Sequence, residues 1–490
     1  MKTTQSFRYG LSKSRITSFE QCPKKLWLSV HRRDVAEYDA GAEARFASGN
    51  AVGDIASALH PSGVMVEAEP DLGAAVAETA RLIAEGHPGP IFEATFEHDG
   101  VLVRVDVLER RKKGWHAAEV KSSTGVKDYH RGDLATQAWV LQACDLPLKS
   151  ASVRHIDRDF ELTREGNYAG LFADAELLRP LKTIIGGRAG VVAAAREVLA
   201  GEEPVVEIGE HCSSPFECEF IAWCRRDLPT GPDWPVTLLP YGGGKKWAEQ
   251  GIEDLLDLDE GDLNARNARI LAATRDDVPF HDAKGARKAM KSWGWPRAWL
   301  DFETIAAAVP RWIGTRPYQQ IPFQFSLHLE AKDGTITHHE FLSCDGSDPR
   351  RACAEALVEM IPAGACVIAY NASFEKRVLR DLADWFPDLA APLLALEAAT
   401  VDLLPVAREH WYHRDQRGSW SIKAVLPTIA PELEYASLEV KDGGNAQEAW
   451  LEAAAPECHP LRREALAEAL KAYCERDTWA MVAVARRLAS

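Results

Sequence analysis

Hydrophobic residues follow a strict alternation along residues 101–108, where a valine occupies every second position from Val101 to Val107. A period of two is typical of a pleated β-strand with one buried face. The polar residues 110–114 predict a turn, and residues 115–121 predict a second strand. The pattern therefore predicts a β-hairpin.

Three charged residues, Asp106, Glu119 and Lys121, are expected to lie together on this hairpin. Residues two apart on a strand share a face, so Glu119 and Lys121 are neighbours and Asp106 can meet them from the adjacent strand. Two carboxylates bind a hard cation such as Mg²⁺, which lowers the pKa of a bound water that the lysine can orient. This set suits phosphodiester cleavage. A surface hairpin with an ion pair is the alternative, because Glu-x-Lys is a common tripeptide.

Helical spacing of hydrophobic residues predicts three helices around this hairpin. One is amphipathic and runs from Ile16 to Trp27, and the dipeptide Cys22-Pro23 predicts a break or a new helix start inside it. Residues 48–60 and 129–141 predict the other two. The mixture of strands and helices indicates an α/β fold.

The stretch Leu11–Leu28 resembles the opening of RecB-like nucleases that carry an iron–sulfur cluster. The resemblance implies a 4Fe–4S cluster held by Cys22 and by Cys212, Cys218 and Cys224, which follow the nuclease core. The late cysteines depart from the family's commonest form, in which the first two are closer together. A zinc site and buried free cysteines remain alternatives, although the usual zinc pairs with two to four intervening residues are absent.

Between the cysteines, Asp106, Glu119 and Lys121 match the catalytic residues of RecB-like nucleases, and Gln137 matches a glutamine that contacts metal-bound water or DNA in that family. The resemblance covers residues 7–225. It implies a restriction-endonuclease-like PD-(D/E)XK core of the α/β class.

A histidine ligand and a third carboxylate are left open at this site. Many RecB-like nucleases carry a metal-binding histidine on the helix before the hairpin, where this chain has Val52, with His60 two turns further on. Glu93 precedes the hairpin on its own predicted strand. It is interpreted as a surface carboxylate, with metal binding as the alternative.

Three motifs with acidic residues follow residue 296. The first is a strand with two carboxylates on one face, the second is a strand entering a helix, and the third is a helix with a tyrosine and an aspartate one turn apart. Their candidate site residues are Asp301 and Glu303, Glu375, and Tyr473 and Asp477.

In this order the motifs resemble those of DnaQ-like 3′–5′ exonucleases of the ribonuclease-H fold, in the subclass with tyrosine in the third motif. The resemblance covers residues 296–490 and implies an α/β/α domain. Four acidic groups can hold two divalent ions, Mg²⁺ or Mn²⁺, and the tyrosine hydroxyl can place the attacking water. Glu375 replaces the usual aspartate and its side chain is one methylene longer, which changes its reach.

Length and composition limit the number of domains and the class of protein. A chain of 490 residues predicts more than one domain, here 1–228, a helical connector at 229–295 that loosely resembles a helix-hairpin-helix element, and 296–490. The net charge of −16 argues against an extended nucleic-acid platform but not against a nuclease, whose sites need carboxylates. The chain shows no apolar run of membrane-spanning length and no secretory signal, so a cytoplasmic location without membrane contact is expected.

The sequence therefore predicts a two-site, metal-dependent nuclease with nucleic acid, expected to be DNA, as its partner. The order of the two regions also resembles an uncharacterised bacterial family of unknown function. The alternative hypothesis is a cluster-containing scaffold that binds nucleic acid and has one or both nuclease sites inactive.

Overall fold

A computed structural model describes residues 10–38, 42–69, 71–433, 435 and 438–490, without the side chains of residues 42–47. Residues 1–9 of the predicted first domain lie outside the described residues. The described chain forms two compact units, one of residues up to 228 together with 307–319, and one of residues 229–306 and 320–490. The predicted α/β class is confirmed, because several sheets are combined with 17 α-helices in this part of the chain.

The first unit contains a seven-stranded sheet in the order β2-β3-β4-β5-β6-β7, with β1 pairing with β4. Its strands are β1 (Leu11–Ser12), β2 (Val64–Met65), β3 (Ile91–His98), β4 (Val101–Arg111), β5 (Gly114–Lys121), β6 (Leu148–Ile156) and β7 (Phe172–Glu176). Its helices are α1 (Lys13–Gln21), α2 (Pro23–His31), α3 (Ala42–Ala58), α4 (Leu72–Glu85), α5 (Asp128–Ala143), α6 (Lys182–Ala200) and α7 (Ile221–Arg225).

Strand β4 keeps the predicted alternation as far as Val105, since Val101, Val103 and Val105 are buried in the main hydrophobic core of the unit. Beyond Asp106 the alternation shifts, because Leu108 takes the next place in that core and Val107 is buried in a separate cluster with Phe92 and Ala118. The predicted turn at 110–114 is wrong in its extent, because β4 continues to Arg111 and β5 begins at Gly114. A tight turn is enough because the two strands stay paired up to their ends.

The predicted break at Cys22-Pro23 is confirmed. Helix α1 ends at Gln21, Cys22 has an extended backbone, and Pro23 is the first residue of α2. Proline suits the first position of a helix, where no intrahelical partner exists for the missing N–H. The side chain of Ser12 accepts a hydrogen bond from the Arg15 N–H and caps α1.

The second unit contains a five-stranded mixed sheet in the order β11-β10-β9-β12-β13 and a two-stranded sheet of β14 and β8. Its strands are β8 (Phe280–His281), β9 (Arg297–Ile305), β10 (Ile321–Glu330), β11 (Ile336–Leu342), β12 (Cys366–Ala369), β13 (Thr400–Asp402) and β14 (Trp411–Tyr412). Its helices are α8 (Lys245–Ala248), α9 (Ala265–Asp276), α10 (Ala283–Ala289), α11 (Arg350–Met360), α12 (Ser373–Trp385), α13 (Ala390–Ala399), α14 (Leu403–His410), α15 (Ile422–Ile429), α16 (Gly443–Ala454) and α17 (Pro460–Ala489).

The five-stranded sheet is covered on both faces. Alternate residues of β10, such as Phe325 and Leu327, are buried in a cluster with residues of α11, α12 and α13. The residues between them face α17, where Gln324 donates a hydrogen bond to the Leu470 carbonyl at 2.9 Å and Ser326 contacts Thr478. The segment 229–295, expected as a connector, belongs to this unit, and its strand β8 pairs with β14.

Candidate functional site

The hairpin of β4 and β5 brings Asp106, Glu119 and Lys121 to one cavity of the first unit. The strands pair between Val107 and Arg111 of β4, and before Val107 the Asp106 carboxylate accepts a hydrogen bond from the Val120 N–H at 2.6 Å. The Lys121 ammonium lies 2.8 Å from the Glu119 carboxylate. The side chain of Asp106 thus bridges the point where the backbone pairing stops.

A second lysine neutralises Glu119. Lys13, the first residue of α1, donates a hydrogen bond to the Glu119 carboxylate, while Lys121 also contacts Asp133 at 2.9 Å. Gln137 is completely buried and donates to Glu119 and, at 3.2 Å, to the Arg104 carbonyl. Gln137 therefore holds the Glu119 carboxylate from behind instead of facing the cavity.

Electrostatic interactions shift the pKa values of the two carboxyl groups of this site in opposite directions. Burial, followed by repulsion from Glu119, raises the pKa of Asp106 to about 7. Burial also disfavours the charged form of Glu119, but the positive charges of Lys13 and Lys121 outweigh it and lower the pKa of Glu119 to about 2. A carboxyl that titrates near neutrality beside a permanently ionised one is an arrangement found at active sites.

Glu93 also lines the cavity, which favours the alternative that sequence reasoning ranked second for this residue. It stands opposite Asp106 in the β3–β4 register and has a φ of 53°. This left-handed conformation is costly for a residue with a side chain and is enriched at functional sites. Asp54 of α3 lines the cavity too and was not predicted.

Neither of the two positions considered for a histidine ligand, Val52 and His60, lines the cavity of Asp106. Val52 is completely buried in an apolar cluster with Ile156 and Leu171. His60 lies outside that cavity, with its ring 3.9 Å from the Glu109 carboxylate.

The four predicted cysteines, Cys22, Cys212, Cys218 and Cys224, line a single cavity. Gln21 holds the two ends of the unit together here, because its amide donates hydrogen bonds to the His211 carbonyl at 2.8 Å and to the Phe216 carbonyl.

The spacing of these thiols is wide. In the described part of the chain, no three of the four sulfur atoms fall within 4.8 Å of one another. Burial raises the pKa of the Cys218 thiol to about 11, so its thiolate form needs a cation.

In the second unit, Asp301 and Glu303 of β9 meet Asp477 of α17, and one carboxylate oxygen from each lies within 4.8 Å of the others. Glu375 and Tyr473 line the same cavity. Residues from all three predicted motifs are therefore brought together, over 176 positions of the chain.

Hydroxyl and ammonium groups surround these carboxylates. Tyr435 donates a hydrogen bond to Asp477, and the Tyr473 hydroxyl lies near the same carboxylate. The Lys423 ammonium lies 3.0 Å from the Tyr473 hydroxyl and 2.9 Å from the Lys441 carbonyl. Tyr435 was not predicted from the sequence.

The charged form of the carboxyl groups in this cavity is energetically unfavourable. Burial, and then the charges of Asp477, Glu303 and Glu375, raise the pKa of Asp301 well above its usual value. Burial followed by the charge of Asp477 raises the pKa of Glu303 to about 8, and burial raises that of Glu375 to about 8. Such a cluster favours a divalent cation as its counter-charge.

Glu375 supplies a specific indication of a missing partner. Its Oε2 atom is buried and accepts no hydrogen bond from any described residue. Buried polar atoms without a partner are rare and require an explanation. The turn before it is held by Asp402, which accepts a hydrogen bond from the N–H of Asn371 at 3.0 Å, and Asn371 has a φ of 69°. The residues present thus fit a bound divalent metal ion.

Two comparisons with known proteins bear on this chain. Residues 298–421, which include part of the second cavity, match the protein family described as "Domain of unknown function (DUF2779)". The chain is also 29% identical over 212 residues to "Uncharacterized protein MG366 homolog" of Mycoplasma pneumoniae (strain ATCC 29342 / M129 / Subtype 1), covering 38% of this chain and 31% of the relative. The match thus spans about a third of the relative's length. Both fit an uncharacterised bacterial domain family.

A further structural finding concerns membranes. Among the helices of the described residues, none combines the length and the apolar character that crossing a bilayer would require.

Lys13 is the site residue that sequence reasoning missed most clearly, and its pairing is testable. We expect Lys13→Met to lower the free energy of unfolding at pH 7 by about 1–3 kcal/mol, because a buried carboxylate loses one of its two cations. Glu119 has a lowered pKa, so its contribution is present above its unfolded-state pKa near 4.5 and is lost as the pH falls towards about 2. The difference between variant and wild type should therefore shrink over this range in urea denaturation.

The matched control is Arg81→Met on α4 of the same unit, where the ion pairs with Glu78 at 2.7 Å and with Glu85 lie at the surface. Its effect should stay below about 1 kcal/mol. A Lys13→Met protein as stable as this control at pH 7 would contradict the role given to Lys13.

Proposed function

We propose that this chain is a metal-dependent nuclease with two active sites that hydrolyse phosphodiester bonds of nucleic acid, DNA being the expected substrate. The observation that carries the proposal is the convergence of Asp301, Glu303 and Asp477 within 4.8 Å beside Glu375 and Tyr473. Three motifs that lie far apart in the chain meet here, which supports a site where carboxylates hold two divalent ions for phosphoryl hydrolysis.

We assign the second unit to the ribonuclease-H-like, DnaQ-like exonucleases. A mixed sheet with helices on both faces supports this assignment, since it is the α/β/α architecture that the resemblance implies. The cavity would hold Mg²⁺ or Mn²⁺ on Asp301, Glu303, Glu375 and Asp477. When bound, the ions would polarise the phosphate and lower the pKa of a bound water.

The protein's own residues then have defined tasks at this site. The Tyr473 hydroxyl, which accepts a hydrogen bond from Lys423 and lies near Asp477, positions the attacking water. Burial and the neighbouring carboxylates raise the pKa of Tyr473, so it remains a neutral hydroxyl. The longer side chain of Glu375 still reaches the cavity, which supports a functional site despite the departure from aspartate.

We assign the first unit to the RecB-like PD-(D/E)XK nucleases. Asp106 and Glu119 would hold the metal ion, and Glu93 is placed to join them. The Lys121 ammonium, oriented by Glu119 and Asp133, stabilises negative charge that develops on the phosphate.

We assign the cysteine cavity to an iron–sulfur cluster, the group that the resemblance implies, with zinc as the alternative. The assignment is supported by the position of Cys22, Cys212, Cys218 and Cys224, which line one cavity although Cys22 is far from the other three in the chain.

We expect Tyr473→Phe to lower the rate of release of 3′-terminal nucleotides roughly 100-fold, the contribution typical of a group that handles a proton in the transition state. Asp301→Asn should have a larger effect, because it removes a metal ligand. The measurement is nucleotide release from end-labelled single- and double-stranded DNA and RNA in Mn²⁺ or Mg²⁺. Asp333→Asn, an exposed carboxylate in the β10–β11 turn, is the control. Equal rates for all four proteins would rule out catalysis in this cavity.

Lys121→Ala should remove a separable activity. Cleavage of substrates with blocked 3′ ends is expected to fall roughly 10²–10³-fold, as for loss of one group that stabilises transition-state charge, while 3′ trimming persists. Lys112→Ala, in the exposed turn of the same hairpin, is the control. If the Lys121→Ala protein cleaves blocked substrates at the wild-type rate, the first cavity is not a nuclease site.

Protein purified without oxygen should be brown and contain about four iron atoms per chain. Cys218→Ser should lose this iron and colour, because a buried ligand is replaced, whereas the exposed Cys144→Ser should keep both. Iron and acid-labile sulfide analysis makes the measurement. A colourless protein with one zinc per chain would show that zinc occupies the site.

A further inference from the structure

Two histidines lie side by side on the face of the second unit's sheet that α17 covers. His328 of β10 stands directly opposite His338 of β11 in the antiparallel register, and the centres of their rings are 4.7 Å apart. Residues directly opposite each other on paired strands project to the same face. Glu475 of α17 approaches them, with its carboxylate 3.8 Å from Nδ1 of His338. One ligand atom from each of the three residues lies within 4.8 Å of the other two.

Two hydroxyl groups orient the imidazole rings. Thr478 is 2.8 Å from Nδ1 of His328, and Ser326 is 3.0 Å from Nε2 of His338. The two hydroxyl oxygens are themselves 2.7 Å apart. One nitrogen of each ring is thus engaged by an orienting partner, which leaves Nε2 of His328 and Nδ1 of His338 as the atoms that can bind a metal ion. Metal-binding histidines normally show this division, because a hydrogen bond at the second nitrogen fixes the tautomer and the ring orientation.

We propose that His328, His338 and Glu475 bind a divalent transition-metal ion of the zinc class. Imidazole nitrogen favours zinc and its neighbours, while Mg²⁺ prefers oxygen ligands alone. Two histidines and a carboxylate, completed by water, make a four-coordinate zinc site. The donor set therefore distinguishes this site from the carboxylate cavity of Asp301 and Asp477.

The site would fasten α17 to the sheet. Glu475 lies on α17 between Tyr473 and Asp477, and the other two ligands belong to β10 and β11. His328 is buried and Glu475 is exposed, so an ion can enter from solvent at the Glu475 side. A bound ion would add a link between α17 and the paired strands β10 and β11, and it would raise the thermal stability of the unit.

The test is a titration of the metal-stripped full-length chain with Zn²⁺ against a chromophoric chelator. The wild type should bind one more equivalent of zinc than His338→Ala, and zinc should raise the melting temperature of the wild type by more than that of the variant. Zinc bound by the cysteines cancels when the number of equivalents bound by the variant is subtracted from that of the wild type. His339→Ala is the matched control, because His339 follows on the same strand but hydrogen-bonds Thr337 at 3.1 Å and is not a proposed ligand.

Two further variants separate ligand loss from misfolding. Glu475→Gln changes an exposed side chain, so it should fold normally, and it should also lose the equivalent. Thr478→Val should keep the site but weaken its affinity roughly 10–100-fold, as for loss of an orienting partner. Retention of the wild-type number of equivalents and affinity by Glu475→Gln and His338→Ala would overturn the proposal and leave the two histidines as a packed cross-strand pair.

Discussion

Enclosed negative charge is the constraint on which both candidate sites depend. Carboxylates that are removed from water and placed side by side cannot all ionise unless cations compensate them. The first unit supplies its own cations, since Lys13 and Lys121 both contact Glu119. In the second unit the nearest ammonium, that of Lys423, is hydrogen-bonded to Tyr473. The carboxyl groups of Asp301, Glu303 and Glu375 are left with raised pKa values, and an external divalent ion is the counter-charge that would lower them.

Local patterns were sufficient to predict the elements that carry these residues. Three examples are the alternation of valines in β4, the helix break at Cys22-Pro23 and the spacing of Tyr473 and Asp477. Each depends on residues within a few positions, because the backbone periods of strand and helix determine which side chains share a face. The mixed α/β class follows from the same patterns. The wrong turn boundary shows the limit of this reasoning, because polar residues at 110–114 fit both an exposed strand end and a turn.

Contacts across the chain could not be read from such patterns. Lys13 is 106 positions from Glu119, and Tyr435 is 42 positions from Asp477. Which side chain reaches a carboxylate depends on strand register and on the rotation of a helix about its axis, neither of which a local period encodes. Glu93 was interpreted as a surface carboxylate of its strand, with metal binding as the alternative. Its φ of 53° is a backbone irregularity that the types of the neighbouring residues do not predict.

Helix α1 connects the cysteine cavity to the cavity of Asp106 and Glu119. The helix has nine residues and a length of about 13 Å. It carries Lys13 at its start and leads into Cys22 at its end. Gln21 ties that end to the segment of the late cysteines through two hydrogen bonds. A cluster bound by Cys22 and the late cysteines would hold the end of α1 in place, and because the helix is short and rigid, its start would be held as well. If the cluster is bound as proposed, the position of Lys13, and with it the ionised state of Glu119, would depend on the cysteine cavity at the opposite end of the same helix.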